Sequence, residues 1–587
     1  MKKPAFGWHR LQPVALRRKL TVLSALAVTI LGVAWWRASA QPTRPLATFM
    51  PGSALLYLEA TDFSRLLNEW NGSKVKADWL KSDNHEVFSR SNLFSKLSGL
   101  FDEYSTAVGF APDLNSVIQI AGNESALALY EIRDLQFLYV TRVEESKLAQ
   151  AALWEMRSKF EARQSVGITF YVHVASGRTV AFAFTQGYLF IGTRDDLVAQ
   201  ALALLAGGRE PSVAAARWYE GATKAATTHG ELRLVLNLES LVKSVYFRSY
   251  WVQRNVSELN QFSAGISDLT RDPQKIVEDR VLLRLNDASA SQPPDAARRA
   301  LAELVQMAPA TAGLYKAWAA PPVDFTASLI ERKLLAPQAK PQVNQRYAPE
   351  ASSTGEAAGT EADLETRIDE PPLPVDSSGK LEMAPLHNLI ERAQPQALLQ
   401  VQSAIQIKNG FIGTPSLLAI AGSSDWDRNA IQQALTAAIE TLWTTSSLGA
   451  QWASGTLNTH KIARLDGLVP LMVAVSGHVL FISNDEELLA DALHPRAIRL
   501  APSQLSYTAV FSHGRERGNF VHLMNALDFA RPSPESQNKV EGSREPAFFS
   551  GNIASLSDVL SFVNGVSVTA SDRGNSVVER VVYDLVK

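Results

Sequence analysis

The chain has no cysteine among its 587 residues. Disulfides, thiol nucleophiles and cysteine-held zinc or iron–sulfur centres are therefore excluded, as is a small disulfide-stapled scaffold. Its ten histidines are scattered, and His85-Glu86 is followed by Val, Phe and Ser. The H-E-x-x-H spacing that sets two imidazoles one helical turn apart over a zinc ion is missing. So are the G-x-S-x-G elbow of a serine hydrolase, the G-x-x-x-x-G-K-[ST] phosphate loop and a G-x-G-x-x-G turn after a strand. The sequence assigns no catalytic residue, no cofactor and no metal ligand.

A strong positive charge is also lacking. Of 57 basic and 59 acidic residues, eight basic and no acidic ones fall before Glu59, so the remainder holds 49 basic against 59 acidic. An acidic body cannot displace phosphate counterions, which argues against a nucleic-acid partner. The hydrophobic fraction of 46% and charged fraction of 20% are those of ordinary folded protein. The length calls for more than one core.

What is present starts at the N-terminus. Residues 20–36 read LTVLSALAVTILGVAWW without a charge, after a basic leader (1–19) ending in Arg17-Arg18-Lys19. Seventeen apolar residues reach the short end of a bilayer span. Cations on the leading flank hold that end in the cytoplasm, and Trp35 and Trp36 suit the far interface. The expectation is a single-pass anchor in the inner (cytoplasmic) membrane, with the large C-terminal portion extracytoplasmic. Ala38-Ser39-Ala40 offers a signal-peptide cleavage site instead, ending the leader at 40. Either way the protein is exported.

Beyond a linker (37–49) the chain reads as one α+β module repeated. Pro51-Gly52-Ser53-Ala54-Leu55-Leu56-Tyr57 matches Pro309-Ala310-Thr311-Ala312-Gly313-Leu314-Tyr315. Leu189-Phe190-Ile191 followed by Asp195-Asp196-Leu197 matches Leu480-Phe481-Ile482 followed by Glu486-Glu487-Leu488. A weaker match joins 232–238 to 506–511. Residues 264–285 align without a gap to 564–585, pairing Gly265 with Gly565, Asp272 with Asp572 and Arg280 with Arg580. The predicted organisation is module one at 50–290, a connector at 291–307 and module two at 308–587. Each module is expected to be a mainly antiparallel or mixed sheet with helices packed on one face. Residues 336–385, rich in Pro, Ala, Ser, Thr and Glu, read as a disordered insertion within module two. Alternation and turn signals predict strands at 54–60, 117–120, 126–132, 136–142, 168–175, 179–185 and 188–193, and a long helix at 145–160.

Few residues invite a functional reading. Asp195-Asp196 and Glu486-Glu487 fit helix first turns, with Thr193 and Ser483 as caps. The sequence His513-Gly514-Arg515-Glu516-Arg517-Gly518 reads as a basic loop before a helix, so Arg515 and Arg517 are candidate ligand or partner contacts. Residues 241–262 carry Tyr246, Phe247, Tyr250 and Trp251 between cations, as core or as a lipid-facing or partner surface.

Three stretches, PGSALLYLEA (51–60), ESALALY (124–130) and YLFIGTRDDL (188–197), resemble an uncharacterised family of exported bacterial proteins known as a domain of unknown function. They are packing and turn patterns spread over most of module one. The resemblance implies location and fold and brings no catalytic residue. The functional expectation is a membrane-anchored envelope protein, a non-catalytic binder or scaffold for a protein partner or lipid. The alternatives are a carrier of lipid or another hydrophobic ligand, and a diverged enzyme without a recognisable motif.

Overall fold

The computed structural model describes residues 44–90, 92–244, 259–285, 292–309, 312–335, 381–403, 406–408, 411–440, 451–466, 470–494, 504–517 and 560–586. Among these no helix is long and apolar enough to cross a membrane. The apolar run 20–36 and most of the insertion lie outside the described residues.

The strands of the first half are β1 (Leu56–Thr61), β2 (Glu124–Glu131), β3 (Gln136–Arg142), β4 (Glu161–Ser165), β5 (Ile168–Ala175), β6 (Arg178–Thr185), β7 (Tyr188–Gly192), β8 (Leu232–Leu236), β9 (Phe262–Arg271) and β10 (Lys275–Arg284). Those of the second are β11 (Leu314–Ala319), β12 (Ala397–Gln402), β13 (Gln406–Lys408), β14 (Phe411–Gly413), β15 (Ser416–Ala421), β16 (Trp452–Leu457), β17 (His460–Leu465), β18 (Leu471–Ser476), β19 (Val479–Ser483), β20 (Tyr507–Phe511), β21 (Val563–Asp572) and β22 (Ser576–Leu585). β13 and β14 form a separate hairpin, and all the others join one 20-stranded sheet.

The pairings are antiparallel throughout. They run β4-β5-β6-β7-β3-β2-β1-β8-β9-β10 in the first half. The second half repeats that order as β16-β17-β18-β19-β15-β12-β11-β20-β21-β22. β10 and β22 then pair edge to edge and make the sheet continuous. Asp279 stands opposite Arg580 at this joint, 3.8 Å apart, and Arg280 reaches Glu579 at 3.0 Å. Arg284 grips Asp572 through two hydrogen bonds of 2.9 Å. Val578 packs on the front core of the first half and Val577 on its back.

Following the registers across the strands corrects the gapless sequence alignment. Leu236 faces Gly265 and Phe511 faces Val566, so Gly265 corresponds to Val566, one residue beyond Gly565. The bulges agree, falling at Leu283/Arg284 in one hairpin and Val563/Gly565 in the other. A one-residue slip turns every side chain to the opposite face. The identities that the sequence rewards, such as Arg280 with Arg580, therefore join residues on opposite sides of the sheet.

Helices cover both faces of the sheet, where the sequence suggested one. On the front, the face bearing Tyr57 and Ala317, helices Asp195–Leu205 and Arg217–Ala225 pack with the 3-10 turn Leu46–Phe49 in the first half. Helices Asp295–Gln306 and Glu486–Ala492 do so in the second. On the back lie Asn92–Val108 in the first half, and Val323–Ile330, Ala384–Ala393 and Arg428–Glu440 in the second. The cause is readable in β15, whose six residues are all buried: a strand apolar at both parities needs cover on both sides.

Several local expectations change. Residues 46–49, read as linker, bury Leu46, Ala47 and Phe49 in the front core. The strand expected at 117–120 is the helix Leu114–Ile120, because Asp113 accepts from Ser116 N at 2.7 Å and closes a capping box. The long helix at 145–160 is three short turns, Glu145–Leu148, Ala152–Glu155 and Met156–Lys159. Thr193 and Ser483 are not the caps: Arg194 and Asp485 are, and Thr193 Oγ1 instead accepts from Phe137 N at 2.8 Å. The insertion ends a little early, since Ala384 and Pro385 already open a helix.

Candidate functional site

Tyr246, Phe247, Tyr250 and Trp251 lie outside the described residues. Arg515 and Arg517 do not sit on a loop: residues 513–517 are a helical turn directly after β20. Its counterpart in the first half is the turn Leu238–Leu241 after β8, where Leu238, Leu241 and Phe262 are buried and pack with Leu55. The second half places His513, Glu516, Val563 and Gly313 at those positions. Glu516 is 5% exposed, and its Oε1 has no hydrogen-bond partner. The carboxylate fills the space beside Gly313, where any side chain would collide with it. Burial raises its pKa above the ordinary carboxylate range, with the Arg515 charge pulling the other way. His513 is buried as well, its Nδ1 3.1 Å from the carbonyl oxygen of Val563.

A second difference between the halves lies on the front face of the first. β1, β8 and β9 place Glu59, Arg233 and Asp268 side by side. Arg233 donates to both Asp268 oxygens at 2.7 and 2.8 Å and to Thr228 O at 2.6 Å, which satisfies a charge pair that water barely reaches. Glu59 accepts from the Tyr57 hydroxyl at 2.8 Å and lies 3.5 Å from His229 Nε2. Burial, with Glu59 adding to it, pushes the Tyr57 phenol well above its usual value. One row along, Arg142 lies 3.3 Å from Glu124, donates to Tyr188 Oη at 3.0 Å and stacks over that ring. Burial raises Glu124 against the opposing charge of Arg142.

In the second half the places of Glu59, Arg233 and Asp268 hold Ala317, Thr508 and Thr569. Those of Glu124, Arg142 and Tyr188 hold Ala397, Ala421 and Val479. The helix Asp295–Gln306 lies over that half, packing Ala297, Ala300, Leu301 and Leu304 on these alanines. The first half sets the shorter Leu46–Phe49 turn there instead, with Phe49 5.0 Å from the Tyr188 ring. The Glu59, Glu124 and Arg142 side chains keep 12%, 27% and 34% of their surface, and His229 keeps 50%. One half thus closes this face with a helix and the other leaves it charged and partly open.

One signal for this site is present in the sequence. β1 alternates Tyr57 and Glu59 toward the core side, and an acid at the parity of a buried face is out of place unless something answers it. A separate open cleft of about 560 Å³ lies in the second half, beside the helix Asp295–Gln306 and the loops after β15 and between β18 and β19, lined by Arg299, Glu303, Ser424, Asp425 and His478 among others. Among the described residues no group of three or more acids or histidines is arranged to hold a metal ion.

No family model matches the chain, and no curated protein does. Three solved structures of TP0453, in crystal forms I, IV and III, are similar to part of it at 14%, 12% and 13% identity. They cover 43%, 42% and 44% of this chain and 82%, 82% and 87% of their own, with TM-scores of 0.24, 0.24 and 0.23. At those scores the likeness transfers neither fold nor function.

Proposed function

We propose that this is an exported, membrane-tethered, non-catalytic binding protein of the cell envelope, built by duplication of one module. The repeated strand order and the matched bulges support the duplication. The open front face of the first module takes a helical segment of a partner protein. What supports this is the second module, where the equivalent face is covered by the helix Asp295–Gln306. Glu59 and Glu124 favour a segment of small apolar residues that also carries a basic side chain.

A photo-crosslinking residue at Thr61 or Glu124 in the full chain, in cells, should give one protein adduct common to both sites. A control at Val174, 60% exposed on β5, should not. The adduct should disappear with Glu59→Arg. Absence of any protein adduct at Thr61 and Glu124 would sink the proposal. The tether is tested separately: alkaline phosphatase fused after residue 44 should be active, and N-terminal sequencing separates an anchor from a signal peptide cleaved before Gln41.

A lipid-binding reading has an observation of its own. Trp70, Leu80, Leu97 and Phe101 keep 46%, 50%, 39% and 46% of their surface on the helices that follow β1. That is an apolar display of the kind that meets acyl chains. Native mass spectrometry of detergent-free protein should then show retained lipid, and a clean protein mass would count against it.

A further inference from the structure

The twenty-stranded sheet ends on β4 in the first half and on β16 in the second. Among the described residues β4 pairs with β5 alone and β16 with β17 alone, so each presents a row of outward N–H and C=O groups. The two edges hold equivalent places but are finished differently. β4 reads EARQS: Arg163 donates to Glu161 at 3.0 Å and to Asp195 at 2.6 Å, which sets charges along the edge. β16 reads WASGTL, without a charge or a proline, and its four central residues are all exposed. Trp452 holds it to the body by donating to Thr436 Oγ1 at 2.8 Å. An uncharged edge of this kind is a template for another strand.

We infer that β16 is a dimerisation edge, pairing antiparallel with β16 of a second copy of this chain. The chain already makes such a joint once, where β10 meets β22 with Asp279 opposite Arg580, the same position of the repeat. Antiparallel pairing of a strand with its own copy has a two-fold axis normal to the sheet, so one residue stands opposite itself and the two front faces stay together. With Ser454 on the axis, Trp452 of each copy lies across from Thr456 of the other on the back face. No like charges meet. On β4 the counterpart of Ser454 is Ala162, flanked by the charged Glu161 and Arg163, and a strand that carries charges along its edge is a poor template for another. The charged edge therefore stops growth and the neutral edge closes the pair, giving a dimer rather than a fibre. This inference stands independently of the front-face site.

The absence of native cysteine makes the test direct. Ser454→Cys in the full-length chain, oxidised in native membranes, should move the 64.1 kDa band to twice that mass. Thr456→Cys, set off the axis, and Arg163→Cys on the charged edge should stay monomeric. Gel filtration with light scattering of the detergent-solubilised, cysteine-free chain should show the dimer, and Ser454→Lys should abolish it while leaving the circular dichroism spectrum unchanged. Cross-linking at Arg163→Cys equal to that at Ser454→Cys would mean random collision and overturn the inference. So would a monomer by light scattering, or a dimer that survives Ser454→Lys.

Discussion

Replacing Glu516 with leucine restores in the second half the side chain that the first half carries as Leu241. The wild-type carboxyl is 5% exposed and leaves Oε1 without a partner, and such a group costs about 1–3 kcal/mol of desolvation. Leucine removes that cost and adds apolar contact with Val563, so Glu516→Leu should stabilise this part of the fold by about 1–3 kcal/mol near neutral pH. The pH dependence follows from the raised pKa. A carboxyl whose folded value lies above its unfolded value binds its proton more tightly when folded. Its stabilising share is complete at pH below the ordinary carboxylate range and is lost as pH rises through the folded value. The turn 513–517 should therefore loosen from β11 as the solution goes from about pH 4 to about pH 8. Hydrogen exchange of peptides covering 507–517 should show opening free energies that fall with pH in the wild type and stay flat in Glu516→Leu. Glu516→Gln, neutral but still polar, should be flat as well and less stable than the leucine variant. If Glu516→Leu weakens protection at all pH, or the pH slope persists without the carboxyl, the buried carboxyl is not the cause.

Other outcomes follow from the same structure. Asp268→Ala leaves Arg233 buried without its partner and should cost about 3–5 kcal/mol, read by urea denaturation, whereas a joint Arg233→Met and Asp268→Leu change should recover most of it. Asp279→Arg places like charges across the joint and should cost at most about 1 kcal/mol, because Arg580 is 57% exposed; adding Arg580→Asp should restore stability. Limited proteolysis should cut first between Leu335 and Leu381, and the fragments should migrate together in native gel filtration. β11 before the cut and β12 after it pair from Leu314 with Gln402 to Ala319 with Ala397. Separation of the nicked pieces without denaturant would contradict that pairing.

The parts of the fold legible in the sequence are those set by local chemistry. Ser176-Gly177 and Gln186-Gly187 mark their hairpins because both residues of each turn take positive φ, 53° and 73° in one and 52° and 77° in the other. The run from Leu189 into the helix at Asp195 is equally plain, since an apolar strand meets acids at a helix start. β4 was missed because Glu161-Ala162-Arg163-Gln164-Ser165 lies on the outer edge, where nothing requires an apolar parity. The hairpin alignment slipped by one residue because identity counting ignores the pleat. The two sites depend on a comparison of the two halves. Glu516 matters because its counterpart is Leu241, and Glu59 because Ala317 stands in its place beneath a helix.

The joint between the halves also has a bearing on the order in which the chain can fold. β22 follows every other strand in sequence, yet it lies between β10 and β21, inside the sheet. During synthesis β10 therefore waits with an unpaired edge while some three hundred further residues emerge, as Leu283 pairs with Ser576 and Lys275 with Asp584. Such an edge is open to other nascent chains until the final hairpin arrives. Lys275, Glu278, Asp279 and Arg280 charge that strand, which makes it a poor template for its own copies. Halting translation before β22 should leave a first half that folds but exposes β10.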